Sequence, residues 1–297
     1  PDYVVVQGDT NSALAGALSS FYAGSILLHV EAGLRSYNLD EPFPEEGNRR
    51  MISQLASYHF APTELSKQTL LKMGVSDHVY VTGNTVIDSL MSTLSTISPQ
   101  EKAILMQYQH QYDIDLNSPF ILVTTHRRES IAEKLTHIYT GILELAKQNP
   151  TMNFVIILHP NPNVQAAIRP FMNRCSNCYF IPSLPYQDCC LLLSKCFAVI
   201  TDSGGIQEEA PSMNKPVMVV RDQTERTEGI DAGCLVKVGT SAEKIISIGN
   251  RLILDKTFYD MMADAVNPFG DGKSSERIQA VFNSVLVSDT VIQKSSK

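Results

Sequence analysis

The fold class follows from one stretch of the chain, Ala198-Val199-Ile200-Thr201-Asp202-Ser203-Gly204-Gly205-Ile206-Gln207-Glu208-Glu209. Its first four residues are apolar or β-branched and predict a buried strand, and the residues after the two glycines predict a helix. A strand, a tight turn and a helix in this order form the repeating unit of α/β proteins with a parallel sheet. In such sheets ligands bind beyond the carboxyl ends of the strands, so the residues of the turn are candidates for a binding site.

The same alternation of strands and helices extends through the chain on both sides of this stretch. Short apolar runs predict strands at residues 1–7, 25–30, 58–60, 79–81, 120–124, 154–158, 179–181, 198–201 and 216–220. Residues 99–119 are polar and rich in Gln, and we place a domain boundary there. The pattern therefore predicts an α/β protein with two doubly wound, Rossmann-like domains.

Composition and charge limit the class of protein. The chain has 297 residues, 43% of them hydrophobic and 19% charged, which fits two folded domains and excludes disordered and collagen-like chains. Acidic residues outnumber basic ones by 31 to 24, and no basic stripe indicates a nucleic-acid partner. No secretion signal and no apolar run of about 18 to 20 residues are found. We expect a cytoplasmic protein without a membrane partner.

Fingerprints of metals and cofactors are missing from the sequence. Cys175 and Cys178 have the spacing of a metal hook, but a zinc site requires four ligands, and the nearest candidates are the adjacent Cys189 and Cys190. Residues 267–274 end in Gly-Lys-Ser but follow a helical stretch, so we interpret them as a turn and not as a P-loop. No Gly-x-Gly-x-x-Gly is found for a nicotinamide or a flavin. We expect no metal and no cofactor.

Ionisable or phosphate-binding residues follow several predicted strands. They are Asp9, Glu31, His126 with Arg127 and Arg128, His159, and Ser203-Gly204-Gly205. The glycine turn precedes a helix, whose N-terminus favours an anion such as a phosphate, and a simple capped turn is the alternative. Glu209 on that helix suits the vicinal hydroxyls of a ribose. Glu45 and Arg49 add charges in a loop-rich stretch, where a carboxylate cluster for acid and base chemistry competes with a salt-bridged loop.

Together these segments resemble the bacterial non-hydrolysing UDP-N-acetylglucosamine 2-epimerases. The motifs that carry the likeness are residues 8–10, 29–35, 44–46, 83–88, 125–129, 159–161, 201–211, 221–226 and 267–272. The resemblance implies a GT-B-like fold, with the active site in the cleft between two Rossmann-like domains. The N-terminal domain would comprise residues 1–110 and a C-terminal helix, 274–297, that crosses back to it, and the UDP-binding domain would comprise residues 111–273. Family members begin with further βα units, so we expect a truncated first domain and an isolated chain that associates or dissolves poorly.

The resemblance also implies an activity and its residues. The activity is the reversible conversion of UDP-N-acetylglucosamine to UDP-N-acetylmannosamine by elimination and re-addition of UDP, for surface polysaccharide precursors and without a cofactor. The implied catalytic residues are Asp9, Glu31, Glu45 and His126, with the identity of the base left open. The implied substrate contacts are Ser203, Gly204, Gly205, Glu209, Arg226, Leu184 and Cys189, the last in place of a larger aromatic residue. Arg127, His159 and Glu45 would contact a second UDP-N-acetylglucosamine that acts as an activator, and a homodimer is expected.

Three other interpretations compete with this one. A catalytically silent protein would keep UDP binding through its second domain. A hydrolysing epimerase would release free N-acetylmannosamine. A GT-B glycosyltransferase would use the Ser-Gly-Gly turn and the Glu in the same way, but it does not explain three carboxylates in the first domain.

Overall fold

The computed structural model describes residues 1–40, 42–125 and 131–295. The chain divides into two compact units, unit 1 with Pro1–Ser89 and Pro268–Lys297 and unit 2 with Leu90–Asn267. Both units are α/β with parallel sheets, as the sequence predicts. The domain bounds given by the sequence, 1–110 with 274–297 and 111–273, remain predictions.

Unit 1 is built on a four-stranded parallel sheet with the strand order β1-β2-β3-β4. Its elements are β1 (Tyr3–Gln7), α1 (Asn11–Ala23), β2 (Ile26–Val30), α2 (Glu45–Leu55), β3 (Tyr58–Ala61), α3 (Glu64–Lys72), β4 (Val79–Val81), the start of α4 (Thr85–Ile97) and α13 (Ser274–Ser295). β1 and β2 pair with Gln7 opposite Val30, so the residues that follow both strands emerge side by side.

The C-terminal helix α13 belongs to unit 1. Ile278, Val281 and Phe282 pack against the buried side chains of β2 and β3, and the Phe282 ring meets the Tyr3 ring edge-on at 5.2 Å between centroids. The first turn of α13 is capped by Asp88, whose carboxylate accepts from the backbone N–H groups of Ser274 and Ser275 at 3.1 and 2.7 Å. Residues 267–273 form the turn that leads into this helix, as the sequence predicts.

Unit 2 contains a six-stranded parallel sheet. Its elements are the end of α4, α5 (Glu101–Tyr112), β5 (Phe120–Thr125), α6 (Ile131–Gln148), β6 (Asn153–Leu158), α7 (Pro162–Ile168), β7 (Cys178–Ile181), α8 (Tyr186–Lys195), β8 (Ala198–Thr201), α9 (Gly204–Glu209), β9 (Val217–Val219), α10 (Thr227–Asp231), β10 (Leu235–Lys237), α11 (Ala242–Leu254) and α12 (Lys256–Ala263). The strand order is β7-β6-β5-β8-β9-β10. This is the doubly wound order, in which the direction of winding reverses between β5 and β8. Ligands bind at the carboxyl ends of the strands at such a reversal.

One helix lies where the sequence indicates an irregular linker. α5 occupies Glu101–Tyr112, although its residues are mostly polar and only Tyr108 is buried. Tyr108 donates a hydrogen bond to Oδ2 of Asp188 on α8 at 2.7 Å, so a contact 80 positions away in sequence holds the helix. In the described part of the chain, no helix is both long enough and apolar enough to cross a membrane.

Candidate active site

Two of the three predicted catalytic carboxylates follow neighbouring strands of unit 1. Asp9 follows β1 and Glu31 follows β2, at the same edge of the sheet. Glu31 has a left-handed backbone with φ 65°. Its Oε2 lies 3.4 Å from the position that a Cβ on Gly8 would take, so the carboxylate sits against the residue before Asp9. The turn after β1 therefore brings the two carboxylates into one neighbourhood.

Arg49 on α2 fixes the orientation of Asp9. Its Nε donates to Oδ2 of Asp9 at 2.7 Å, and its Nη1 lies 3.9 Å from Oε2 of Glu46. The side chain of Arg49 is 8% exposed and that of Asp9 is 24% exposed, so the pair is largely shielded from water. Asn48 also donates from Nδ2 to the backbone carbonyl of Asp9 at 2.8 Å. α2 thus restrains both the backbone and the carboxylate of Asp9.

The third carboxylate, Glu45, is the first residue of α2. Residues four apart lie on the same face of a helix, so Glu45 shares a face with Arg49. The Oε2 atom of Glu45 is buried and has no hydrogen-bond partner among the described residues. A buried carboxylate oxygen without a donor is rare in folded proteins, and it suits a ligand hydroxyl or a proton in transit.

Two buried histidines support this edge of unit 1. His29 lies on β2 opposite Val6, and its Nε2 is 2.9 Å from the carbonyl of Gly8, which makes Nε2 the donor. His59 is its register partner on β3. Burial lowers the pKa of each to about 4, so both rings are neutral at neutral pH. The Nδ1 atoms of both are buried without a partner among the described residues.

In unit 2, a buried arginine lies against the glycine turn. A Cβ on Gly204 would be 2.9 Å from Cζ of Arg226, so only glycine leaves room for the guanidinium. Arg226 donates from Nε to Oε1 of Glu208 at 2.8 Å and from Nη1 to Oε2 of Glu225 at 3.3 Å. Arg221 donates to the same Glu225 oxygen at 3.2 Å. A cation fixed in this way beside open backbone suits a phosphate group.

The turn itself is tied to both strands at the reversal of the sheet. The backbone N–H of Ser203 donates to Oγ1 of Thr201 at 2.9 Å, and that oxygen lies 2.6 Å from Oγ1 of Thr124 on β5. The Ser203 side chain makes no capping hydrogen bond with α9. Its hydroxyl is therefore not used as the helix cap that the sequence allowed as an alternative.

Glu209 is the last residue of α9 and is buried. Its Oε1 accepts a hydrogen bond from the hydroxyl of Tyr186 at 2.6 Å. Burial raises the pKa of Glu209, and the Tyr186 hydroxyl acts in the opposite direction. The ring of Tyr186 is 48% exposed and lines an open cavity of about 360 Å³.

A second cavity of about 140 Å³ brings together three residues that the sequence placed in different roles. Leu184 and Cys189, assigned to the substrate, line it together with His159, assigned to the activator. Thr124 and Thr125 at the end of β5 complete its polar side. Burial raises the pKa of the Cys189 thiol to about 12, so the thiol is neutral in this cavity. The Nδ1 atom of His159 accepts from the backbone N–H of Asn161 at 3.1 Å.

Several residues that the sequence singled out do not contribute to the two parts of the site described above, the carboxylate edge of unit 1 and the glycine turn with its cavities in unit 2. His126 and Arg127 lie outside the described residues. Cys175 and Cys178 are free thiols, like the other four cysteines, and Cys175 donates to Oδ1 of Asn177 at 2.8 Å. Within the described ranges, no group of three or more His, Cys, Asp or Glu side chains is arranged to hold a metal ion.

Two site residues were not assigned a role from the sequence. Arg49 lies on α2 four residues after Glu45, and this helical spacing was the signal that could have found it. Tyr186 carries no comparable signal, because its partner Glu209 is 23 positions away on another helix.

Comparisons with known proteins identify the family. Residues 1–283 match the family model described as UDP-N-acetylglucosamine 2-epimerase. The UDP-N-acetylglucosamine 2-epimerase of Neisseria meningitidis is 46% identical over 279 residues, which are 94% of this chain and 75% of the relative. That of Campylobacter jejuni is 43% identical over 282 residues, which are 94% of this chain and 74% of the relative.

Solved structures agree with the sequence match. The crystal structure of the Neisseria meningitidis enzyme bound to UDP-GlcNAc has a TM-score of 0.89 at 45% identity and covers 96% of this chain and 76% of its own. The Methanocaldococcus jannaschii enzyme in complex with UDP-GlcNAc and UDP has a TM-score of 0.81 at 33% identity, with 96% and 76% covered. These likenesses confirm the expected GT-B-like fold class with two Rossmann-like domains. The chain belongs to the UDP-N-acetylglucosamine 2-epimerase family.

Proposed function

We propose that this chain interconverts UDP-N-acetylglucosamine and UDP-N-acetylmannosamine by eliminating UDP and adding it back. The observation that carries the proposal is the placement of Asp9 and Glu31 side by side after β1 and β2, with Asp9 held by Arg49, which shares a face of α2 with Glu45. A protein that only binds UDP has no use for such an arrangement of carboxylates. Family membership and the UDP-GlcNAc complexes of similar enzymes support the same substrate.

In this proposal unit 2 binds the UDP part of the substrate. Ser203, Gly204, Gly205 and Arg226 bind the diphosphate, since the turn offers open backbone N–H groups beside a fixed guanidinium. Glu209 binds the ribose, and Leu184 and Cys189 line the cavity for the uracil. The role of His126 beside the departing diphosphate is proposed from the resemblance of residues 125–129 to the family motif.

The first chemical step is an elimination. A carboxylate removes the proton from carbon 2 of the sugar, and the electrons of that C–H bond form the double bond between carbons 1 and 2. The bond from carbon 1 to the diphosphate oxygen breaks, and its electrons leave with UDP. The products are a glycal and UDP, and both must be kept from water until the second step.

The second step reverses the elimination on the other face of the sugar. The UDP oxygen adds to carbon 1, and a carboxylic acid delivers a proton to carbon 2 from the side opposite to the one first attacked. A single group cannot reach both faces, so two proton-carrying groups are needed. The cluster of Asp9, Glu31 and Glu45 supplies more than one.

Proton NMR of the chain with UDP-N-acetylglucosamine in deuterated water tests the proposal. We expect deuterium at carbon 2 and the appearance of UDP-N-acetylmannosamine. Free N-acetylmannosamine in the products would identify a hydrolysing enzyme instead. A chain that binds UDP without exchange at carbon 2 would be a silent UDP-binding protein, and the proposal would be wrong.

We also propose how the enzyme is regulated, its oligomeric state and its cellular compartment. A second UDP-N-acetylglucosamine acts as an activator that contacts Arg127, His159 and Glu45, and the active species is a homodimer. Activation is tested with UDP-N-acetylmannosamine as the sole substrate, where a trace of UDP-N-acetylglucosamine should shorten the initial lag. Six free thiols support a reducing compartment, and we place the enzyme in the cytoplasm, where it supplies precursors of surface polysaccharide.

A further inference from the structure

The hydrogen bond between Tyr186 and Glu209 has no role in the reaction described above. It joins the first residue of α8 to the last residue of α9, with 2.6 Å between the tyrosine hydroxyl and Oε1. Glu209 is 6% exposed, so water cannot easily replace this donor. A hydrogen bond to a buried charged group is among the stronger ones in proteins.

The bond leaves the other oxygen of Glu209 available to a ligand. Among the described residues, no hydrogen bond to Oε2 is formed. Oε2 lies 4.0 Å from the position that a Cβ on Gly205 would take, so it is turned toward the glycine turn. A carboxylate with one oxygen already held has lost rotational freedom before a ligand arrives, which lowers the entropic cost of binding.

The groups that face Glu209 come from α8 and α9. Burial raises the pKa of Glu209, and the neighbouring Glu208 carboxylate raises it further. Cys189 and Cys190 also face the carboxylate, and burial raises their thiol pKa values to about 12 and about 11, so both are neutral. Of the described groups that act on this pKa, only the Tyr186 hydroxyl favours the charged form of Glu209.

We propose that Tyr186 is a positioning residue for ribose recognition, because its hydroxyl holds the Glu209 carboxylate so that Oε2 accepts a hydrogen bond from a ribose hydroxyl of UDP. The inference rests on the proposed function, which supplies UDP as the ligand. An ionised acceptor fixed in this way binds a hydroxyl strongly. A deoxyribose leaves the acceptor without a donor, and sites of this kind discriminate strongly against such analogues.

The test compares UDP, 2′-deoxy-UDP and 3′-deoxy-UDP by isothermal titration calorimetry between pH 5.5 and pH 8. Tyr186→Phe removes the hydroxyl and keeps the ring. Tyr108→Phe is the matched control, because it removes another tyrosine hydroxyl that donates to a carboxylate in unit 2, Asp188 at 2.7 Å. Melting temperatures of all variants check that they are folded. Glu209→Gln is a second variant that keeps the shape of the side chain and removes its charge.

We expect the wild type to bind at least one deoxy analogue about tenfold more weakly than UDP. Tyr186→Phe should bind UDP roughly tenfold more weakly and lose most of this discrimination. Its affinity should also fall, relative to the wild type, as the pH drops from 8 to 5.5, because without the hydroxyl Glu209 is protonated more readily. The titration of UDP itself is common to all variants. In turnover, Tyr186→Phe should raise KM and leave kcat nearly unchanged, and Glu209→Gln should lose the discrimination at every pH.

Two results would overturn the inference alone. In one, Tyr186→Phe keeps the affinity, the ribose discrimination and the pH profile of the wild type. In the other, it weakens all three ligands equally at every pH, as a merely structural change would. A wild type that does not bind UDP would overturn the proposed function together with this inference, so the two failures are distinguishable.

Discussion

Arg49 donates a hydrogen bond from Nε to Oδ2 of Asp9 at 2.7 Å, across 40 positions of the sequence. The first turn after β1 is thereby tied to the face of α2 that begins with Glu45. Removal of one partner from a shielded ion pair leaves a charge without compensation, which costs more than the pair contributes. The catalytic edge of unit 1 is therefore sensitive to a residue that makes no proposed contact with the substrate.

We expect Arg49→Gln to lower kcat by at least about tenfold, because the Asp9 carboxylate loses its fixed orientation. The free energy of unfolding should fall by about 2–3 kcal/mol. NMR turnover assays and urea denaturation measure the two effects. Lys147→Gln is the control. Lys147 pairs with Glu144 on α6 at 3.6 Å and both side chains are exposed, so its loss should cost less than about 1 kcal/mol. Equal effects of the two variants would contradict the role given to Arg49.

Gly204→Ala should displace Arg226 and weaken UDP binding by at least about tenfold, since each lost charge-assisted hydrogen bond contributes roughly 1.5–3 kcal/mol. The added Cβ would lie 2.9 Å from Cζ of Arg226, well inside van der Waals contact. Calorimetry with UDP measures the affinity, and thermal unfolding measures the stability. Gly205→Ala is the steric comparison, because its Cβ would meet nothing nearer than 4.0 Å. It should leave the melting temperature almost unchanged, whereas Gly204→Ala should lower it. Similar melting temperatures of the two variants would argue against the close approach of Arg226.

Acid should destabilise the fold through His29 and His59. The pKa of each is lowered to about 4 in the folded chain, against 6.5 for an unperturbed histidine. Between these values the unfolded chain binds more protons, so the free energy of unfolding falls as the pH drops from 6.5 to 4. The loss should reach about 3 kcal/mol for each histidine. Urea denaturation at a series of pH values measures this slope.

His59→Gln removes one of these titrations and should flatten the acid slope by about half. His110→Gln is the control, because His110 is exposed on α5 of unit 2. It should leave the slope as in the wild type. A wild type whose stability does not change between pH 6.5 and pH 4 would refute the burial of neutral histidines.

Asp88→Ala should loosen the C-terminal helix. The variant removes the carboxylate that accepts from the backbone N–H groups of Ser274 and Ser275. Loss of a helix cap costs about 1–2 kcal/mol. Hydrogen exchange at the first turn of α13 and thermal unfolding measure the effect. Asp77→Ala in an exposed turn is the control and should change neither. Unchanged exchange in α13 would contradict the capping role.

Nine of the ten strands of the described residues were predictable because each is a short apolar run, whereas β10 was not predicted and only its first residue, Leu235, is buried. In β5 all six residues are buried, and the predicted run of 120–124 misses only Thr125. α5 was not predictable, because its polar residues lack a helical pattern and its one buried side chain depends on Asp188. The local composition of a segment does not indicate a hydrogen-bond partner that lies 80 positions away in the sequence.

The candidate site also contains residues that the sequence predicts and contacts that it does not. Asp9, Glu31 and Ser203 were found because they follow strands, and the ends of parallel strands meet at one edge. The bonds of Arg49 to Asp9 and of Tyr186 to Glu209 depend on how helices pack over those ends. The spacing of Glu45 and Arg49 indicates that they share a helix face, but no spacing along the chain identifies Asp9 as the partner of Arg49 or Glu209 as the partner of Tyr186.

β5 and β8 are buried along their whole length, so the residues that form the sheet are distinct from the residues that can contact a ligand. Their interior residues tolerate only exchanges that conserve volume, whereas exposed side chains in the loops beyond the sheet can change in size and charge with little effect on it. Evolution can therefore alter what the crevice accepts by exchanging a few side chains at the rim. Leu184, which lies in the loop between β7 and α8 and lines the smaller cavity, is a position of this kind: the rim is open to new specificity and the frame is not.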